Sequence, residues 1–189
     1  MALSGFQQHL SQGVIQQAQA GDILAFETIY LTYADASYNL AFRICNNQAL
    51  AQDIVQEAFI KVMNNINKFK HDGAFAGWVR RIVANETINR VKSENLLRLV
   101  SDDEILEQQE TNLFGTEWLS ACSDLDFLLK ALPTMSRAVI ILHEIEGYKH
   151  KEIAAFFGKS ESFSKTTLSR AYSSLMEMTL DRGQNHALK

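Results

Sequence analysis

Apolar side chains recur at three- and four-residue steps through both ends of this chain, and a single proline, Pro133, interrupts them in 189 residues. That spacing lines one face of a helix, whereas strands require alternation and frequent turn residues. Nine glycines over the same length are too few to punctuate the hairpins of an all-β chain. The expected class is all-α. At 47% hydrophobic residues the chain is also too apolar to stay disordered.

The charge is unevenly spread, and its partition says more than the formal total of −4. Residues 1–92 hold 8 basic and 7 acidic side chains, 93–126 hold 1 and 9, and 127–189 hold 9 and 6. Two neutral-to-basic helical blocks therefore flank one acidic stretch. The reading is two helical domains, 1–94 and 123–189, joined by an acidic linker at 95–122. Between Lys68 and Lys92 there are 6 basic and only 2 acidic side chains, so a phosphate-facing surface is expected there or in the last third.

In the first block, Phe26, Ile29, Tyr30, Tyr33, Leu40, Ala41 and Ile44 form one helical stripe, with Asp22 placed to cap its start. A second helix, about Gln48 to Ile66, turns Leu50, Ile54, Ala58 and Val62 inward. Asp53, Gln56 and Glu57 share another face. That face is either an ordinary solvated surface or a docking ridge for a basic partner. After a polar loop at Lys68 to Gly73, a third helix carries Phe75, Trp78 or Val79, and Ile82 on one side. Along another it carries Arg81, Asn85, Asn89 and Lys92. Long donors beside aromatic rings suit single-stranded DNA, since cations take the backbone and a ring accepts an unstacked base. Rings at this spacing also build cores, and at least one of Phe75 and Trp78 is expected to be buried.

In the last block, helices at Asp124 to Leu132 and Arg137 to Ile145 are separated by Pro133, which cannot continue the first. Then come KHKEIAAFF, Gly158-Lys159 and SESFSKTTLSRAYSSLMEM, a helix, tight turn and helix with Ser160 as N-cap. Ile153, Ala154 and Phe157 should face Leu168, Ala171 and Leu175. Ser162, Phe163, Lys165 and Thr166 then point outward, toward a major groove.

Other classes find little support. Cys45 and Cys122 are far apart and form no metal-ligand cluster. His143-Glu144 lacks the second histidine of HExxH, because position 147 is glycine, and there is no GxSxG or phosphate loop. No metal, cofactor, small-molecule substrate or catalytic residue is expected. The first 21 residues lack a basic n-region, and the longest aliphatic run, Val139 to Leu142, is too short for a bilayer, so a soluble cytoplasmic protein without membrane insertion is expected.

Taken together, GDILAFETIYLTY, AQDIVQEAFIKV and FAGWVRRIVANETINR in the first block, and ALPTMSRAVIILHEIEGYKHKEIAAFFG with the terminal LSRA in the second, resemble an extracytoplasmic-function sigma factor. This is the branch of the sigma-70 family that keeps only regions 2 and 4. The resemblance covers roughly Gly21 to Lys92 and Leu125 to Leu180. It implies that Asp53, Gln56 and Glu57 bind the clamp helices of the polymerase β′ subunit. It also implies that the loop Phe69 to Ala74, through Phe69, Lys70 and His71, captures a flipped base of the promoter minus-ten element. Arg80, Arg81, Asn85, Asn89 and Arg90, with Phe75, Trp78 and Lys92 beside them, would contact the melted strand. The second helix of the helix-turn-helix, through Ser160, Ser162, Phe163, Lys165, Thr166, Thr167 and Arg170, would read the minus-thirty-five element while its surroundings touch the β flap. An anti-sigma partner is implied by the family alone.

The chain departs from the family pattern in that reading helix. Lys159 stands where an apolar residue is common, Phe163 where Thr is, Ser164 where Val is, and Thr167 where Arg is; Asn89 stands where Asp is usual. Ser164 should weaken a core contact. The competing reading is a two-domain regulator that binds an operator without polymerase; it explains the helix-turn-helix but not the acidic ridge followed by an aromatic and basic helix.

Overall fold

The computed structural model describes residues 5–70, 74–100 and 124–186, with side chains described over 6–70, 74–94 and 126–180. Among the described residues there are helices and turns and no strand. The helices are α1 (Gln12–Gln19), α2 (Ile23–Cys45), α3 (Gln48–Asn65), α4 (Phe75–Val100), α5 (Asp124–Ala131), α6 (Thr134–Ile140), α7 (His150–Phe157) and α8 (Glu161–His186).

Capping residues set the register of the N-terminal helices. Asp22 accepts from the backbone N–H groups of Leu24 and Ala25 at 2.8 and 3.3 Å, and Asn47 accepts from Leu50 at 3.0 Å. Each satisfies donors that the first helical turn leaves unpaired. Between α2 and α3, Asn46 adopts the left-handed conformation at φ 53°, which reverses the chain so that the two helices pack together. Ile29, Tyr33 and Ile44 of α2 then share a core with Ala58 and Val62 of α3 and Val79, Val83 and Ile88 of α4, all of them shut off from solvent, while Ile54 packs with Ala41, Leu50 and Ala51 in a smaller cluster between α2 and α3.

Two details differ from the sequence reading. Tyr30 is 39% exposed, because the stripe continues through Ile29 and Tyr33; its ring instead meets Phe59 edge-on at 4.8 Å. In α4 the inward residues are Phe75, Val79 and Val83, while Ile82 is half-buried. α4 also continues to Val100, so its last six residues lie in the stretch assigned to the linker. Residues 101–123, which make up most of that stretch, lie outside the described residues.

Pro133 separates α5 from α6 as expected, but α6 starts at Thr134 rather than Arg137, and proline at the N-cap loses nothing by lacking an N–H there. α6 passes directly into a π turn at Ile141–Ile145, where the Glu146 N–H reaches back to the Ile141 carbonyl at 3.0 Å. Gly147 (φ 72°) then redirects the chain into α7, and Gly158 (φ 62°) makes the turn into α8. Side chains beyond glycine rarely adopt either conformation.

The two halves share one apolar core. A buried cation ties them as well. Arg137 of α6 is 4% exposed and donates Nε–H to the Ile44 carbonyl at 2.9 Å, with further bonds to the Lys130 carbonyl at 3.0 Å and to Thr134 Oγ1 at 3.4 Å. Ile44 lies in the last turn of α2, where unpaired carbonyls and the helix dipole favour a cation. Burial nevertheless pushes the Arg137 pKa below its ordinary value.

Candidate docking ridge and nucleic-acid interface

Because Leu50, Ile54, Ala58 and Val62 fix the inward face of α3, the opposite face must carry Asp53, Gln56 and Glu57, and all three are exposed. Ile60 and Met63, 54% and 50% exposed, extend the ridge along α3 with apolar surface. Exposed aliphatic side chains beside a carboxylate row make a surface that can bury area and also select a basic partner. The spacing of the carboxylates is visible in the sequence; the exposure of Ile60 and Met63 is not, since apolar residues on a helix fit a buried stripe as readily.

α4 runs beside α3, and the two functional faces meet. Glu57 Oε1 lies 4.0 Å from Arg90 Nη1, and Lys61 pairs with the buried Glu86. Arg81, Asn89, Arg90 and Lys92 are exposed, while Arg80 and Asn85 are half-buried. At the N-terminal end of α4, a pocket of ≈ 300 Å³ is lined by Lys68, Phe69, Lys70, Trp78 and Arg81, among others. Three cations around an aromatic wall can hold a phosphate and stack an unpaired base. The wall is itself supported: Phe69 and Phe75 are buried, their rings 5.0 Å apart, and Trp78 packs on both at 5.7 and 5.5 Å. Phe75 therefore belongs to the core, so of the two rings paired in the sequence reading, the half-buried Trp78 is the one that lines the pocket. Gln19 of α1 donates to the carbonyls of Ile66 and Phe69 at 3.0 and 3.1 Å, fixing the turn that leads there. His71, assigned to the same loop, lies outside the described residues.

The helix-turn-helix is α7 and α8. The Ser160 hydroxyl accepts from the Phe163 N–H at 3.3 Å, and Ile153, Ala154 and Phe157 are buried opposite Leu168 and Ala171. Ser162, Lys165, Thr166 and Arg170 are exposed, and Thr167 is half-buried. Phe163 turns out differently: it is half-buried with its ring 5.5 Å from Phe157, because the apolar hairpin interior draws it in. Ser164 also departs from the expectation of a weakened core. It is fully buried, and its hydroxyl lies 3.0 Å from Nδ1 of His150, whose ring stacks at 4.4 Å on His143. A hydrogen bond thus replaces the missing apolar contact. Desolvation, with the neighbouring His143, holds the His150 pKa below the usual imidazole value, which favours the neutral ring as the partner of Ser164.

Sequence spacing could not reveal that the helix-turn-helix lies against α4. Arg80 Nη1 donates to the Glu146 carbonyl at 2.8 Å, lies 3.7 Å from the Glu146 carboxylate, and its guanidinium sits 5.0 Å from the centre of the Tyr148 ring. Arg81 repeats the pattern, 3.6 Å from Glu152 and 5.8 Å from the Phe156 ring. Burial pushes the Tyr148 hydroxyl up to about 12 from 10.0, although the Arg80 guanidinium pulls the other way. A raised folded-state pKa means stability that is complete below pH 10.0 and is lost as pH rises toward about 12, because the unfolded tyrosine ionises first. Tyr148→Phe should remove roughly 2–3 kcal/mol of this alkaline loss, read as a shallower fall in urea-unfolding free energy between those pH values.

Among the described residues no helix is long and apolar enough to cross a membrane, and no group of three or more His, Cys, Asp or Glu could hold a metal ion. The Cys45 thiol is half-buried, lies 3.3 Å from the Asn47 carbonyl and has its pKa raised by burial, which marks it as a packing group rather than a nucleophile.

Comparison with known proteins agrees with this arrangement. The family model for Sigma-70 region 2 matches residues 29–96, and that for Sigma-70, region 4 matches residues 123–175. The ECF RNA polymerase sigma factor SigE of Mycolicibacterium smegmatis is 31% identical over 140 residues, 71% of this chain and 53% of SigE, so the match spans about half of that relative's length. Among solved structures, the sigma factor RpoE in complex with the anti-sigma factor NepR, from Bartonella quintana, shares the fold with a TM-score of 0.57 at 23% identity, over 82% of this chain and 96% of that one. CnrH in complex with the cytosolic domain of CnrY gives 0.53 at 25% identity, over 89% and 96%. With both regions matched in order, and with ridge, pocket and helix-turn-helix at the positions those regions occupy, the chain belongs to the sigma-70 family, in its extracytoplasmic-function branch.

Proposed function

We propose that this chain directs RNA polymerase core to promoters as an initiation factor, performing no covalent chemistry itself and acting in the cytoplasm. The observation that carries the reading is the adjacency of two surfaces: an exposed acidic ridge on α3 and a cationic, ring-bearing face on α4, joined at the Glu57–Arg90 contact. In this reading Asp53, Gln56 and Glu57 grip the β′ clamp helices. Lys70, Trp78 and Arg81 then hold an extruded minus-ten base, and Arg80, Asn85, Asn89, Arg90 and Lys92 track the melted strand. Extruding a base costs a few kcal/mol, and stacking on one ring returns about 1–3 kcal/mol, so pocket and polymerase must act together. Ser160, Ser162, Lys165, Thr166, Thr167 and Arg170 present donors to the minus-thirty-five duplex, with the β flap bound nearby.

Family membership extends the proposal to a protein antagonist, an anti-sigma factor, that covers these surfaces. Run-off transcription from a genomic library with purified core tests the function. Discrete transcripts that require this chain are expected; tight binding to a duplex without core, and no transcripts with it, would instead favour an operator-binding regulator.

A further inference from the structure

Three polar side chains meet inside a largely apolar hairpin, at the point where the reading helix begins. His143 lies in the π turn that follows α6, His150 opens α7, and Ser164 sits near the start of α8. Single π turns of this kind occur frequently at functional sites. The His143 and His150 rings stack 4.4 Å apart and 19° from parallel. His143 Nδ1 donates to the Tyr148 carbonyl at 2.9 Å, which fixes that ring against the chain leading into α7. His150 Nδ1 in turn lies 3.0 Å from Oγ of Ser164, a residue shut off from solvent.

We infer that His150, acting through Ser164, is a positioning residue for the reading helix, and that its neutral ring holds α8 at the rotation where Lys165, Thr166 and Thr167 face the minus-thirty-five duplex. This deepens the proposed function and rests on it. Ile153 and Phe157 are buried opposite Leu168 and Ala171, and such apolar packing is non-directional. A hydrogen bond has a preferred direction, and this one ends on the residue beside Lys165. Rotating α8 about its axis would leave the Ser164 hydroxyl buried without a partner, which is costly. Glu144 of the same π turn accepts from the Tyr172 hydroxyl further along α8, so the helix is held at two points.

The pairing depends on the charge of the imidazole. With its proton on Nε2, the neutral His150 ring accepts at Nδ1 from the Ser164 hydroxyl. A second proton makes Nδ1 a donor and leaves the hydroxyl proton to find another acceptor inside the hairpin. The charge would also stand in the first turn of α7, where the helix dipole opposes a cation. Around the ring, His143 of the π turn and Lys165 of α8 oppose the charge, while Glu144 of the π turn and Glu161 of α8 favour it. Lys149 and Lys151 flank it in the chain, Lys165 is engaged by Glu161 at 2.7 Å, and Arg80 and Arg81 of α4 meet Glu146 and Glu152 instead. Burial is the largest influence, and the balance lowers the His150 pKa from 6.5. The contribution of the neutral ring is therefore complete above pH 6.5 and is lost as pH falls below it through the folded value, because the unfolded imidazole takes up its proton first.

The test compares the full chain with His150→Gln and His150→Ala. Glutamine offers Ser164 a neutral amide that does not titrate, whereas alanine leaves the hydroxyl unpaired. Amide hydrogen exchange at Lys165, Thr166 and Thr167, corrected for intrinsic rates, reads α8 in the free chain. Holoenzyme binding to a promoter fragment recovered from the run-off library, and to the same fragment with its minus-thirty-five sequence scrambled, reads function.

Between about pH 7.5 and about pH 5.5, wild-type protection and minus-thirty-five-dependent affinity should each fall about three- to tenfold, within the tenfold per pH unit that one proton allows. His150→Gln should stay near wild type at the upper pH and lose the fall, and His150→Ala should be weaker at both. A flat wild-type profile, or an equal fall in His150→Gln, would overturn the positioning role and leave the proposed function standing. Protection that follows pH as expected, with no promoter fragment that depends on the chain, would keep the positioning of α8 and defeat the proposed function.

Discussion

Reversing Asp53 and Glu57 to lysine in one chain will lower affinity for core polymerase roughly 100-fold or more, because like charges brought together at an interface cost several kcal/mol. Both side chains are exposed, so the thermal midpoint should stay within the scatter of surface substitutions. Glu57 does pair with Arg90 at 4.0 Å, but both partners are solvent-exposed and breaking such a pair costs little. A titration of labelled chain against core, beside a melting curve, separates docking from folding. Unchanged affinity would remove the ridge from the account.

The second large effect is expected at Trp78. Trp78→Ala deletes the ring facing the pocket while leaving Lys68, Lys70 and Arg81 in place. Base-on-ring stacking is worth about 1–3 kcal/mol, so capture of single-stranded DNA by the holoenzyme should fall about 10- to 100-fold. Because Trp78 also packs on Phe69 and Phe75, some stability will go with it, and Trp78→Phe serves as the check. If the pocket stacks a base, the phenylalanine variant recovers most of the binding. Equal losses for alanine and phenylalanine would assign Trp78 a packing role alone.

Much of the fold was legible because the signals were local. Asp22 and Ser160 are caps that act within three residues, and Pro133 breaks a helix by its own covalent ring. Gly158 marks its turn by the same kind of local constraint. The ridge was legible too, since three residues of one helix share a face wherever that helix goes. What spacing could not decide was which of two neighbouring apolar residues faces in. Tyr30 and Ile82 lost that competition to Ile29 and Val83, and Phe163 won it against solvent. Such outcomes depend on a partner helix that periodicity does not identify.

Long-range polar pairs were illegible for a related reason. Arg137 reaches a carbonyl 93 residues away and Arg80 one 66 residues away, and neither residue type announces its acceptor. Ser164 reads as a defect only in comparison with valine. Its hydrogen bond with His150 shows that two unusual residues can form one ordinary buried contact.

The account turns on how the α3 face is used inside the initiation complex. A photoreactive amino acid placed at Gln56, in the centre of the exposed ridge, reads this out in a complex assembled from core, promoter and this chain. Irradiation should attach the chain to the β′ subunit within its clamp helices. Attachment to DNA alone, or none in a complex that still initiates transcripts, would contradict the account.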